Sequence, residues 1–427
     1  MDFQKTWFYV QYFCAIARFI AKQPILRLSS LLHRYTYRLS STPQNVVVIG
    51  GSFTGALLVK RLAHTLPSGY RVILVEKRSH MHYAFAFPRN AVFSGREDRA
   101  LIPYDNLTAG APAGIYQRIQ DEVSSITESH VGLSSGGQLE YDFLILATGT
   151  AQPSPTRLEA LSWNGAVAEL RDSQQQIKDA KRIAVIGGGG AGIEMVTEIR
   201  AKYPDKHLSL VHSKARLLPR FGPKLHSYVL DVLQRMDIDV ILRERLVLPV
   251  EKQGLMGESE ISLSTGETRT WDLIIRCTGL RPQSDMLASF APKSVAHNGE
   301  ILVRPTLQVD KLPLSRGNIF ALGDVARTGG PKQGRAGMMQ GEVVLNNILR
   351  LIQKRNGLQE YHPLPFEGTL YLTLGKNLKI MYIQQGDFEL LQENKPPYDE
   401  DVGAADAWKA FHAEFSEGVE SAHRKLE

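Results

Sequence analysis

From Pro43 onward the chain alternates short unbroken apolar runs with longer stretches in which apolar residues recur at helical spacing. An unbroken run such as VVVIG (46–50) suits a parallel strand covered on both faces, because both sides of the pleat must then be apolar. RVILVEK (71–77), YDFLILATGT (141–150), IAVIG (183–187), HLSLVHSKARLL (207–218), WDLIIRCTGLRP (271–282) and RGNIFALGDVA (316–326) repeat the pattern. Helical stretches such as ALLVKRLAHTL (56–66) separate them, so the order predicts an α/β fold built on parallel sheets.

Two of these strands run directly into glycine turns. In the first, NVVVIGGSFTGALL (45–58), Gly50, Gly51, Ser52, Phe53, Thr54 and Gly55 lead into a helix, and Glu76 ends the next strand 21 residues after Gly55. A dinucleotide-binding turn uses its first glycine for the tight bend and its second for close approach to pyrophosphate. The third lets helix and strand touch, and a downstream acid holds the ribose hydroxyls. Ser52 stands where the second glycine is expected. Serine adds only a Cβ and a hydroxyl, which a negative φ tolerates and which can face a phosphate.

The second turn, RIAVIGGGGAGIEMVTEIR (182–200), fills all three positions with Gly187, Gly189 and Gly192. His212 takes the place held by Glu76 in the first copy, with Lys214 and Arg216 close behind. An acid there would grip a 2′-hydroxyl and repel a 2′-phosphate. His212 repels no anion, so NADP(H) is admitted alongside NAD(H). Lys214 and Arg216 equally suit a solvated loop. One copy has the acid with an imperfect glycine set, the other the full glycine set without the acid. Two sites for two different nucleotides are therefore expected.

Composition narrows the chemistry. The 427 residues are 43% hydrophobic and 22% charged, as in ordinary globular proteins, and suffice for two or three domains. The formal charge of +6 is concentrated at the start: Lys5, Arg18, Lys22, Arg27, Arg34 and Arg38 face only Asp2 within residues 1–43. No basic stripe remains elsewhere, and no nucleic-acid partner is expected. The only cysteines, Cys14 and Cys277, form no paired motif, which excludes a disulfide framework, a zinc site and a dithiol redox centre; no metal site is expected.

WFYVQYFCAIARFIA (7–21) is too short for a membrane span and is interrupted by Arg18. As a helix it places Gln4, Gln11, Ala15, Arg18 and Lys22 on one stripe beneath a broad aromatic and aliphatic face. Peripheral membrane contact through residues 3–22 follows as one expectation, and a mitochondrial presequence as another. A secretory signal with Ala15-Ile16-Ala17 at its cleavage site, or a helix packed on the protein's own surface, also suits the pattern. Asp2 after Met1 does not suit N-myristoylation.

Five motifs in order resemble the two-dinucleotide-binding-domain flavoproteins over about residues 44–350: the two glycine turns, the strands ending in Thr148-Gly149 and Thr278-Gly279, and Gly323-Asp324. The stretches FAFPRNAVFSGREDRALIPYDNL (85–107) and GPKQGRAGMMQGEVVLNNIL (330–349) resemble the apoptosis-inducing-factor-like branch. Its ferroptosis-suppressor-like members are in turn similar to type II NADH dehydrogenases. The resemblance implies FAD at the first turn and NAD(P)H at the second, with hydride passing from NAD(P)H to flavin and electrons going on to an acceptor. It implies that Asp324 contacts the ribityl-phosphate part of FAD, that Pro88 and Arg89 lie near the flavin, and that Val123 offers backbone to adenine. Glu194 matches the family's glutamate near the nicotinamide; an acid in the first turns of a helix also complements its dipole.

The expected architecture is two Rossmann-like domains in a glutathione-reductase-like arrangement with a small C-terminal α/β domain. The FAD domain would comprise 44–150 and 283–355, the NAD(P)H domain 151–282 and the C-terminal domain 356–427, following the N-terminal segment 1–43. GTLYLTLGKNLKIMYI (368–383) resembles the start of the family's C-terminal domain, and the chain diverges from Gln384. A quinone is the first expectation for the acceptor, at a membrane on the cytoplasmic face or in the mitochondrion, with the protein a monomer or homodimer. Two other readings are a tailoring oxidoreductase of small-molecule biosynthesis and a redox-sensing flavoprotein of cell-death-type signalling.

Overall fold

The computed structural model describes residues 10, 21, 24, 28–246, 255–312, 317–394 and 399–415. The segment 3–22, with the Ala15-Ile16-Ala17 site, lies almost wholly outside the described residues. Among the described residues no helix is long and apolar enough to cross a membrane. The chain divides into two compact units, residues 1–79, 105–150 and 281–368 in the first and 80–104, 151–280 and 369–427 in the second.

In the first unit a five-stranded parallel sheet runs in the order Ile319–Ala321, Phe143–Leu146, Gln44–Ile49, Tyr70–Val75, Tyr116–Ile119. Val46, Val47 and Val48 in the central strand are wholly buried, as an unbroken apolar run demands. The chain leaves this central strand toward one side and later returns on the other, so the strand order reverses at its C-terminal end. Ligands of open α/β sheets bind at such a switch point, and the Gly50–Gly55 turn lies there. The helix Phe53–Ala63 follows the turn and packs on the helix Gly334–Ile352, where the Arg61 guanidinium pairs with the Glu342 carboxylate at 2.6 and 3.0 Å.

Residues 28–36 are helical and belong to the first unit. Ser30 Oγ lies 2.7 Å from His64 Nδ1, His33 Nε2 donates to the Leu66 carbonyl at 2.7 Å, and the buried Tyr37 donates its hydroxyl to the Tyr70 carbonyl at 2.7 Å.

The second unit repeats the plan. Its sheet runs Asp239–Leu242, His207–His212, Arg182–Ile186, Leu273–Arg276, Leu255–Met256, parallel except for the last strand. Arg182–Ile186 is again the central strand feeding a glycine turn and the helix Gly190–Lys202. A three-stranded antiparallel sheet, Leu370–Thr373, Lys379–Gln385 and Phe388–Glu393, belongs to this unit.

Residues 80–104, expected within the first nucleotide fold, pack with the second unit. Polar contacts account for this. Gln174 donates to the Asn90 carbonyl at 2.7 Å and to Glu97 at 3.0 Å, Arg99 pairs with Asp401 at 2.8 Å, and Trp408 Nε1 donates to the Arg99 carbonyl at 2.8 Å.

Candidate functional site: two nucleotide turns

Gly50 bends the first turn with φ of +101°, and a Cβ there would meet the Ala147 carbonyl oxygen at 2.5 Å. Gly55 is tighter still, because its Cβ would stand 1.8 Å from the Gly50 carbonyl oxygen. Ser52 is the N-cap of the following helix, with φ of −77° and ψ of −169°, so its Cβ sits in a region open to every L-residue. Its side chain is exposed and makes no capping hydrogen bond.

Glu76 is 8% exposed and is held by two backbone donors, the Gly51 N–H at 2.6 Å and the Arg78 N–H at 2.9 Å. The acid that follows the second strand thus fastens the turn. Carboxylate lone pairs remain for hydroxyl donors, since two oxygens offer about four acceptor sites.

Two further segments of this unit pack against the turn, one at Thr148 beside Gly50 and one at Gly323 beside Thr54. Thr148 donates its hydroxyl to the Gln283 carbonyl at 2.6 Å, and Gly149 follows with φ of +67°. Gly323 has φ of +76° and donates its N–H to Gln340 Oε1 at 2.8 Å. The half-buried Asp324 follows, its carbonyl accepting from Lys332 Nζ at 3.1 Å. Val123 is buried at the start of a strand on the edge of a separate small sheet.

Sequence reasoning missed Gly337 and Gln340. A Cβ on Gly337 would stand 2.1 Å from Thr54 Oγ1, so this mid-helix glycine lets the helix Gly334–Ile352 approach the turn. A glycine inside an otherwise strong helical pattern was the available signal.

The second turn matches the first residue by residue. Gly187 has φ of +128° with a Cβ position 2.8 Å from the Cys277 carbonyl oxygen, and the Gly192 Cβ would lie 1.9 Å from the Gly187 carbonyl oxygen. Gly189, the partner of Ser52, has φ of −88° and ψ of 179°, and a Cβ there would meet nothing within 4 Å. The Gly188 N–H donates to His212 Nδ1 at 3.1 Å, as the Gly51 N–H donates to Glu76. Nδ1 is thus an acceptor, which places the proton of the neutral ring on Nε2. Burial, and then the charge of Lys214, push the His212 pKa down against the opposing Arg216 backbone. Lys214 and Arg216 are exposed, and so is Gly279, whose φ is +88°.

Glu194 lies on the helix after this turn. Its Oε1 accepts from both the N–H and the hydroxyl of Thr373 at 3.1 Å, and burial pushes its pKa up to about 7 against those two donors. An exposed glutamate ionises near 4.5, whereas the folded chain holds the proton to about 7. The protonated form therefore adds stability below pH 4.5 that is lost as pH rises toward 7. Glu194→Gln is expected to melt close to wild type at about pH 4 and clearly higher at about pH 8, measured by thermal unfolding at both. Equal melting temperatures at the higher pH would rule out the raised pKa.

One turn further on, Glu198 is wholly buried and accepts twice on Oε1 from Arg89, at 2.6 and 2.9 Å. Arg89, 6% exposed, also donates to the carbonyls of Asp399, Glu400 and Gly375 at 3.2–3.3 Å. The guanidinium is thus spent inside the second unit. The Cys277 thiol is buried and its pKa pushed up to about 12 by desolvation, so it offers no thiolate at neutral pH. Cys277→Ala is expected to leave NAD(P)H oxidation within about twofold of wild type and to cost about 1 kcal/mol of stability. A tenfold loss of turnover would contradict that reading.

Residues 44–341 match the protein family described as pyridine nucleotide-disulphide oxidoreductase. The chain is 30% identical over 351 residues to Fe-regulated protein 8 of Mycosarcoma maydis, covering 76% of this chain and 86% of that protein. It is 29% identical over 344 residues to ferroptosis suppressor protein 1 of Homo sapiens, covering 78% and 87%. Among solved structures, the sulfide:quinone oxidoreductase of Aquifex aeolicus superposes with a TM-score of 0.67 at 17% identity, over 90% of this chain and 94% of that one. With two nucleotide turns of matching geometry and this relationship along most of its length, the chain belongs to the pyridine nucleotide-disulphide oxidoreductase family, in its ferroptosis-suppressor-like branch, and is an FAD-dependent NAD(P)H oxidoreductase.

Proposed function

We propose that the enzyme delivers electrons to a quinone at a membrane surface, with FAD on the Gly50–Gly55 turn and NAD(P)H on the Gly187–Gly192 turn. The observation that carries the assignment of the turns is the paired clamp, Gly51 N–H to Glu76 in one unit and Gly188 N–H to His212 in the other. Both turns fit a pyrophosphate. Gly189 has open space where a side chain would stand, and Ser52 repeats its backbone angles with an exposed hydroxyl. Glu76 and Asp324 would hold FAD with Phe53, Thr54, Val123, Thr148 and Gly149 around it. His212 Nε2, buried without a hydrogen-bond partner, would donate to the adenosine ribose or its 2′-phosphate. Gly279 would line the NAD(P)H site and Glu194 would position the nicotinamide. Bound flavin supplies the hydride and electron-transfer chemistry, so the chain need only bind, orient and shield the two rings.

The basic, aromatic segment at residues 3–22 supports the membrane location, and a membrane is where quinones dissolve. In one assay, purified holoprotein receives NADH or NADPH and a soluble ubiquinone analogue. Turnover of the quinone in large excess over enzyme is expected; flavin that NAD(P)H reduces and no quinone reoxidises would overturn the quinone assignment. His212→Glu in the same assay is expected to raise the KM for NADPH about tenfold and to leave NADH less affected, because the new carboxylate repels a 2′-phosphate.

A further inference from the structure

The helical residues 28–36 carry a face that the first unit leaves bare. Ser30, His33 and Tyr37 point into that unit through the contacts described above, and at 100° per residue they share one side. Leu28, Leu31, Leu32 and Tyr35 fall on the opposite side, with 61%, 57%, 59% and 74% of their surface exposed. Single exposed apolar residues are ordinary, but a stripe at i, i+3, i+4 and i+7 on a docked helix is not.

Charge identifies the occupant. Arg34 and Arg38 lie exposed along one flank of the stripe, and Lys5, Arg18, Lys22 and Arg27 precede it in the sequence with Asp2 the one acid. A second copy of this chain pairing through the same face would bring like charges together, whereas an anionic bilayer receives both the leucines and the arginines.

We infer that the face formed by Leu28, Leu31, Leu32 and Tyr35, flanked by Arg34 and Arg38, rests in the headgroup layer of an anionic membrane. This reading builds on the membrane contact proposed for residues 3–22 and adds a rigid element to it. Because Tyr37 is buried and His33 is bonded to the Leu66 carbonyl, the helix would fix the orientation of the first unit toward the lipid rather than merely tether it.

Co-sedimentation of full-length holoprotein with phosphatidylcholine vesicles, with and without phosphatidylserine, tests this. Wild type is expected to bind the phosphatidylserine vesicles and to release at high salt. The combined variant Leu28→Ser, Leu31→Ser, Leu32→Ser, Tyr35→Ser is expected to bind at least about tenfold more weakly. Arg34→Glu with Arg38→Glu is expected to lose affinity for the phosphatidylserine vesicles alone. Both should keep wild-type flavin content and NAD(P)H oxidation with a soluble acceptor, since none of these residues belongs to either nucleotide turn. A second set, Trp7→Ser, Phe8→Ser, Tyr12→Ser, probes the preceding segment. If that set loses binding while the leucine variant binds as wild type, the face is not the contact and the proposal for residues 3–22 stands. Wild type bound to neither vesicle would remove both proposals. Unchanged vesicle binding by the leucine variant, with a dimer becoming monomeric in light scattering, would overturn the lipid assignment in favour of a second copy.

Discussion

Gly55→Ala is expected to give a protein that purifies without flavin and has lost about 3 kcal/mol or more of stability. The added Cβ would lie 1.8 Å from the Gly50 carbonyl oxygen and 3.0 Å from its carbon. Both are backbone atoms of the turn itself, so no side-chain rotation relieves the overlap. The turn must open, at a position where Gly50 is itself held at φ of +101° beside the Ala147 carbonyl. Gly189→Ala is the control: its φ of −88° and open surroundings predict an unchanged melting temperature, with the effect confined to a raised KM for NAD(P)H. Visible absorption of the purified variants and thermal melts separate the two outcomes. Gly55→Ala with full flavin occupancy and a wild-type melt would contradict the expected clash.

The second large effect belongs to the ion pair in the other unit. Arg89→Leu is expected to cost about 3–5 kcal/mol, because it leaves the Glu198 carboxylate buried with no compensating charge. Glu198 Oε2 already lacks a hydrogen-bond partner, so the remaining site cannot absorb the loss by rearranging its own acceptors. Burial raises the pKa of Glu198 and Arg89 lowers it, so removing the guanidinium should raise it further. The double variant Arg89→Leu, Glu198→Leu should recover most of the stability, as two apolar groups replace a pair whose desolvation was costly. Chemical denaturation of the two variants measures the difference, and equal stabilities would contradict the account.

Much of this was legible beforehand, and the reasons differ by residue. The strands were legible because burial on both faces leaves no polar positions, and the turns because close backbone contact excludes every residue but glycine. Ser52 raised a doubt that φ of −77° resolves, since the position it fills needs closeness to a ligand rather than a positive φ. Glu76 directly follows the strand Tyr70–Val75, but its bond to the Gly51 N–H was not legible, because no residue spacing reports which backbone donor a carboxylate selects. Arg89 was read by resemblance as a neighbour of the flavin, and its contacts in this structure are with Glu198 and three carbonyls brought from distant parts of the chain. Gly337 and Thr373 escaped notice for the same reason. Each matters through a contact between segments far apart in sequence, with Thr54 in one case and Glu194 in the other. The apolar face at 28–36 was hidden because docking by Ser30, His33 and Tyr37 uses polar side chains, so nothing in the pattern marked which side of the helix is covered.

We propose that this chain binds flavin on one turn and reduces it with a nicotinamide cofactor held on the other. Anaerobic titration of the purified protein with NADH and with NADPH, followed in the visible flavin bands, tests it most directly. A bound-flavin spectrum that one equivalent of reduced nicotinamide bleaches is expected. A protein without flavin bands, or with bands that neither NADH nor NADPH bleaches, would contradict it.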